Sequence, residues 1–204
     1  MQLAVHTTPD QRVAEILASV RQAFVEKGFD GASMQDLARA SGMSVGNFYR
    51  YFPSKSAIVQ ALIEFDLADI QNVFQAILAA PHPMSALRLG LRQRIDGTID
   101  DHDPDLWSEI EAVARRSPEI GAAARRMEQT VSQALLSVFA VETGLTLEQA
   151  TQRFSASAAF IVVLFKAASC LNCTREADQS ELKSMIVRTI ENTLDDVVYS
   201  AKKA

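Results

Sequence analysis

Between Ser33 and Lys55 the chain reads SMQDLARASGMSVGNFYRYFPSK, and most of its polar groups there are hydrogen-bond donors. Tyr49, Tyr51 and Arg50 supply hydroxyl and guanidinium donors suited to phosphate oxygens and base edges. Gly46 and Asn47, just upstream, allow the backbone to approach a ligand closely, and Lys55 is placed to reach a flanking phosphate. This is non-covalent chemistry, that of a nucleic-acid contact. The competing reading is a surface helix whose tyrosines shield a small core, and the donor set favours the nucleic acid.

Other chemistry finds less support. Cys170 and Cys173 form a lone C-x-x-C, whereas a zinc site wants four ligands. Packing in a reducing compartment accounts for them better than a redox sensor does. The acidic cluster Asp100, Asp101, His102, Asp103, Asp105 lacks the Gly turn and distal Glu of a calcium loop, so it reads as a solvated loop. There is no nucleophile elbow, no phosphate-cradling Gly loop and no helical His pair, so the chain does not read as an enzyme, and no metal or cofactor is called for. Trp107 is the sole tryptophan and has Glu111 one helical turn on. The pair has two readings: an indole face and carboxylate for a cationic or aromatic effector, or core padding beside a surface charge. If there is an effector pocket, its candidate residues are Phe65, Asp69, Trp107, Glu111 and Phe160, where three helices would converge.

The elements that must position the donors are two short helices. Ser33 is an N-cap with Asp36 three places on, and Met34, Leu37 and Ala38 give one apolar stripe. Gly42 suits the turn that follows. Ser44 caps a second helix, Val45 to Tyr51, which ends before Pro53. Val45, Phe48 and Phe52 face inward. Two helices joined by a short Gly-containing turn make a helix-turn-helix. A preceding helix opens at Pro9-Asp10, carries Val13, Ile16, Leu17, Val20, Ala23 and Phe24 on one stripe, and stops at Gly28.

At these residues the chain resembles the tetracycline-repressor (TetR) family of bacterial transcriptional regulators. The likeness rests on Phe24 to Phe29, on Ser33, Leu37-Ala38 and Gly42-Met43-Ser44, and on the run from Gly46 to Lys55. It covers about residues 9 to 60. The resemblance implies that Ser33, Ser44, Tyr51 and Lys55 are mainly phosphate contacts, and that Val45, Gly46, Asn47 and Tyr49 reach bases. Many relatives carry Lys, Arg or Pro where this chain has Val45, which suits a methyl contact to thymine instead.

The remainder reads as helical to its end, with no strand-like alternation. A helix capped by Ser54 runs to about Ala80, with Ile58, Leu62, Phe65, Asp69 and Val73 as its stripe. Others span about Ser85 to Ile99, Pro104 to Arg116, 118 to 142, Leu147 to near Asn172, and Asp178 to Ser200. The fold class is therefore all-α, about nine helices, with a three-helix head in residues 1–53 and an effector-binding and dimerisation bundle in residues 54–204. The helix from Leu147 is apolar nearly all round. Phe154, Ala158, Ile161, Phe165 and Ala168 form one face and Ala156, Ala159, Val163 and Ala167 another. With Met185, Ile186, Ile190 and Leu194 of the last helix, the second face suggests a four-helix interface between two protomers.

Of 204 residues, 48% are hydrophobic and 22% charged, as in soluble globular proteins, and the net charge is −5. Through Gln60 there are six basic and five acidic residues, leaving 14 basic against 20 acidic beyond it. A nearly neutral head calls for a local patch and a strongly salt-dependent affinity. Residues 1–10 lack the features of a signal peptide, and the longest apolar run, Ala156 to Phe165, is well short of the roughly 20 residues of a membrane span. A cytoplasmic, homodimeric regulator is expected. It would bind a pseudo-palindromic operator and be released by a small effector, repression being the sign the resemblance implies. The alternative is control by Cys170/Cys173 oxidation or by a partner protein.

Overall fold

A computed structural model describes residues 9–98, 104–169, 171 and 176–201. The first eight residues, the loop Asp100 to Asp103 and the pair Cys170 and Cys173 lie outside the described residues. The described residues form helices, with no strand among them. In order they are α1 (Pro9–Gly31), α2 (Met34–Ala40), α3 (Val45–Tyr51), α4 (Lys55–Ala79), α5 (Pro83–Ile95), α6 (Pro104–Ala114), α7 (Pro118–Thr143), α8 (Leu147–Ser169) and α9 (Glu176–Ala201). They divide into two compact units, and the division falls inside α4.

The first unit takes the chain as far as Leu67 together with Asp105–Arg125. Ile16, Leu17, Val20 and Phe24 of α1 are buried as expected, along with Leu37 and Ala38 of α2. The end of α2 is a Schellman closure. Met43 N–H donates to Ala38 O at 2.9 Å and Gly42 N–H to Arg39 O at 3.0 Å, with Gly42 at φ +64°. Only a residue without Cβ takes that φ cheaply, so the sharp turn before α3 depends on it. Ile58, Val59, Leu62 and Ile63 of α4 and Leu106, Ile110 and Val113 of α6 complete the interior. Gly28 does not end α1 outright. It sits at φ 67°, ψ 167°, breaks the helix, and one more turn follows to Gly31.

The second unit holds Ala68–Pro104 and Arg126–Ala204. Its core gathers Phe74, Leu87, Leu135, Phe139, Phe154 and Leu194, and the ring edge of Phe139 meets Phe154 at 6.2 Å and 86°. Arg88 of α5 pairs with Glu191 and, at 2.7 Å, with Asp195 of α9. Thr146 and Gln149 form a reciprocal capping box at the start of α8.

Several sequence expectations are corrected. Phe65 and Asp69 of the expected α4 stripe are exposed, and Val59, Ile63, Phe74 and Ile77 are buried in their place. Ile190 and Leu194 belong to the core of their own unit, so they are not available as a protomer surface. Helix α5 stops at Ile95, short of Ile99.

Candidate nucleic-acid interface

Helix α3 is short and is held from one side. Phe48 is fully buried and Phe52 nearly so, their rings 5.8 Å apart. With that side anchored, the rest of the helix is turned outward. Gly46, Asn47, Tyr49, Arg50 and Tyr51 are exposed, Tyr49 by 47% and Tyr51 by 39%. Large aromatics are usually drawn into a core, so two tyrosines left out on one short helix point to a binding role. Val45 is half-buried, its side chain shared between the interior and the surface.

The two caps behave differently. The Ser44 hydroxyl oxygen accepts from Asn47 N–H at 3.3 Å, which leaves its O–H to donate outward. The Ser33 hydroxyl instead donates to Asp36 Oδ2 at 2.5 Å and accepts from Asp36 N–H at 3.1 Å, while Ser33 N–H also reaches Asp36 Oδ2 at 3.0 Å. Ser33 thus closes a full capping box and holds its proton inside it. Lys27 Nζ sits 2.6 Å from Asp36 Oδ1. The Lys27 ammonium, followed by the Ser33 hydroxyl and amide, holds the Asp36 carboxyl well below the ordinary carboxylate range.

Lys55 is used in a way its position in the sequence does not reveal. Its ammonium donates to Phe29 O at 2.6 Å and Asp30 O at 3.2 Å, and lies 4.8 Å over the Phe29 ring. Two of its three donors are thereby engaged on the last turn of α1, leaving one for a phosphate. Arg21 pairs with Asp66 and Arg12 with Glu15, so of the six cations through Gln60 most face partners within the chain. Arg50 and Arg39 are the exceptions that point outward, Arg39 being 80% exposed with Asp36 at 3.7 Å. Sequence reasoning passed over Arg39. The signal available was that it is the only cation on α2.

The effector candidates are distributed as follows. Trp107 and Glu111 are both half-buried on α6, one turn apart. Phe65 and Asp69 share an exposed side of α4. Phe160, 45% exposed, lies on the same outward side of α8 as Ala156, Ala159 and Val163. Among the described residues no three His, Cys, Asp or Glu side chains converge.

The sequence model of bacterial regulatory proteins of the tetR family matches residues 16–62, which spans the buried stripe of α1, all of α2 and α3 and the first turns of α4. Residues 16–62 are a head of that family. The matched segment is the DNA-binding helix-turn-helix of such regulators. EthR of Mycolicibacterium smegmatis, an HTH-type transcriptional regulator, is 37% identical over 84 residues, which are 40% of this chain and 39% of EthR. UidR of Escherichia coli, also an HTH-type transcriptional regulator, is 26% identical over 123 residues, 58% of this chain and 59% of UidR. These matches span less than two thirds of either relative. Among solved structures, Salmonella enterica GusR superposes with a TM-score of 0.67 at 23% identity, covering 91% of this chain and 98% of GusR. A TetR transcription regulator from Haloarcula marismortui reaches 0.71 at 17% identity, covering 91% and 97%. At such identities the likeness is one of fold, and it extends over 91% of the chain.

Proposed function

We propose that this regulator is a homodimeric repressor that reads a pseudo-palindromic operator through α3 and leaves it when a small effector binds. The observation that carries the reading is the outward Gly46, Asn47, Tyr49, Arg50, Tyr51 surface on a helix anchored by Phe48. Val45, Gly46, Asn47 and Tyr49 are assigned to bases. Ser44, Arg50, Tyr51 and the remaining donor of Lys55 are assigned to phosphates. Ser33 acts by fixing α2 through its cap, and Arg39 is added as an outer phosphate contact.

One α3 reads too few bases for useful specificity, so two copies are required. Support for the dimer comes from α8 and α9. Ala156, Ala159 and Ala167 are exposed, and Val163 and Met185 are 60% and 49% exposed, an apolar surface made of small and medium side chains. Phe160 joins this surface, and the effector contact is assigned to Trp107 and Glu111. An aromatic face beside a carboxylate suits an organic cation. No single described helix is long and apolar enough to cross a membrane, and an operator-binding role places the protein in the cytoplasm.

The test combines stoichiometry and release. Fluorescence anisotropy on the gene's own upstream intergenic DNA should saturate at an even number of protomers per site. A compound that alters Trp107 emission should then raise the apparent Kd. Saturation at one protomer per site would rule out the dimeric reading. Emission changes without any change in Kd would rule out the effector reading.

A further inference from the structure

The last turn of α1 carries backbone groups that its own helix does not satisfy. At φ 67°, ψ 167° Gly28 is in a region open to glycine alone, and the break removes the helical partner that Phe29 N–H would otherwise have. That amide donates to Glu109 Oε2 of α6 at 3.0 Å, across 80 residues of sequence. The fit is close: a Cβ built on Gly28 would lie 3.3 Å from Glu109 Oε2. On the other side of the same turn, Lys55 fills the carbonyls of Phe29 and Asp30. Arg116, just past α6, reaches Asp30 Oδ2 at 2.6 Å through an exposed and therefore weaker pair. The Phe29 ring stacks on Phe24 at 6.0 Å.

This turn is not incidental to DNA binding. It runs directly into buried Ala32 and then Ser33, the cap of α2, and α2 leads through the Gly42 turn to α3. Whatever fixes the turn fixes the entry point of both helices of the helix-turn-helix. All of these residues lie in one compact unit, although Glu109 falls far outside the stretch matched to the family.

We propose that Glu109 is a positioning residue for operator binding, its carboxylate clamping Phe29 N–H so that α2 and α3 are held in their DNA-reading arrangement. This rests on the reading of α3 as the base-contacting helix. Glutamine keeps a carbonyl acceptor of the same reach and should preserve the clamp, whereas alanine removes it. A stability control is Ile110→Val, which trims the buried face of the same helix without touching the turn.

The experiment measures the Kd of the full-length protein for operator and for scrambled duplex. It compares wild type, Glu109→Ala, Glu109→Gln, Ile110→Val and Tyr49→Ala, with melting temperatures and the Phe29 amide resonance alongside. We expect Glu109→Ala to weaken operator binding about tenfold, the loss of one hydrogen bond to a charged group. Its affinity for scrambled duplex should be unchanged and its Phe29 amide shifted upfield. Glu109→Gln and Ile110→Val should both bind as wild type. The inference is overturned if Glu109→Ala binds the operator normally while Tyr49→Ala does not, which leaves the role of α3 standing. It is also overturned if Ile110→Val loses as much affinity as Glu109→Ala at an equal melting temperature. If Tyr49→Ala too binds normally, the reading of α3 fails and the clamp with it.

Discussion

Tyr49 and Tyr51 face solvent because Phe48 and Phe52, on the opposite side of α3, are held by the interior. Gly46, near the start of the same helix, gives a direct test of close DNA approach. Nothing lies within 4 Å of a Cβ built on Gly46, and its φ is not positive. Gly46→Ala should therefore stabilise the free protein by roughly 0.5–1 kcal/mol, through reduced backbone entropy in the unfolded chain. It should weaken operator binding at the same time, because the new methyl intrudes on the DNA side. Thermal melts and anisotropy on one preparation check both signs. Asp36 supplies a prediction of another kind. Its folded-state value is depressed below the ordinary 3.8, so the unfolded chain takes up a proton first as the pH falls. Its stabilisation is complete above about 3.8 and is lost as the pH drops from there toward the folded-state value. Urea unfolding of Asp36→Asn should show lower stability than wild type at neutral pH and a smaller difference near about pH 3.

At the level of elements, α2 and α3 were legible because each carries its own start and stop signals. Ser33 with Asp36, Ser44, Gly42 and Pro53 are local, and the structure uses all of them. Helix α4 was legible in extent but not in facing. A single stripe through Ile58, Leu62, Phe65, Asp69 and Val73 presumes one set of partners, whereas the helix is divided between two units, and Phe65 and Asp69 fall exposed near the division. Periodicity cannot report a change of partner along a helix. The end of α5 was misjudged for a smaller reason. Thr98 N–H closes on Gln93 O at 2.9 Å around Gly97, a stop signal outweighed by the apolar Ile99. The roles of Lys55 and Glu109 left no trace in local pattern, since each depends on a backbone group far away in sequence. Close packing at the α6–α7 corner offers an element-scale prediction. A Cβ on Gly121 would stand 2.7 Å from Ala114 O, so Gly121→Ala should cost about 1–3 kcal/mol, read as a lowered denaturant midpoint.

For the whole molecule, charge and exposed apolar surface give different information. A chain of net charge −5 binds DNA only where its cations are gathered and left available. Here Arg12, Arg21, Lys27 and Lys55 have internal partners, which leaves Arg39 and Arg50 turned outward. Operator binding should therefore weaken with salt, with a modest slope set by the few phosphates each protomer neutralises. The α8 and α9 surface gives the assembly prediction. Val163→Glu adds a charge to an exposed position, so it should leave the fold and melting behaviour of a protomer nearly unchanged while shifting the protein from dimer to monomer in light scattering. It should lower operator affinity without altering any residue of α3.

Whether α3 reads sequence can be settled by a single comparison. Wild type and Tyr49→Ala are titrated by anisotropy onto the upstream intergenic DNA and onto a scrambled duplex of equal length, at two salt concentrations. Wild type should prefer the intergenic DNA by at least ~10³-fold, and Tyr49→Ala should lose most of this preference while keeping the weak, salt-sensitive binding common to both duplexes. A preference that survives intact in Tyr49→Ala, in a protein that still folds, would contradict the reading of sequence by α3.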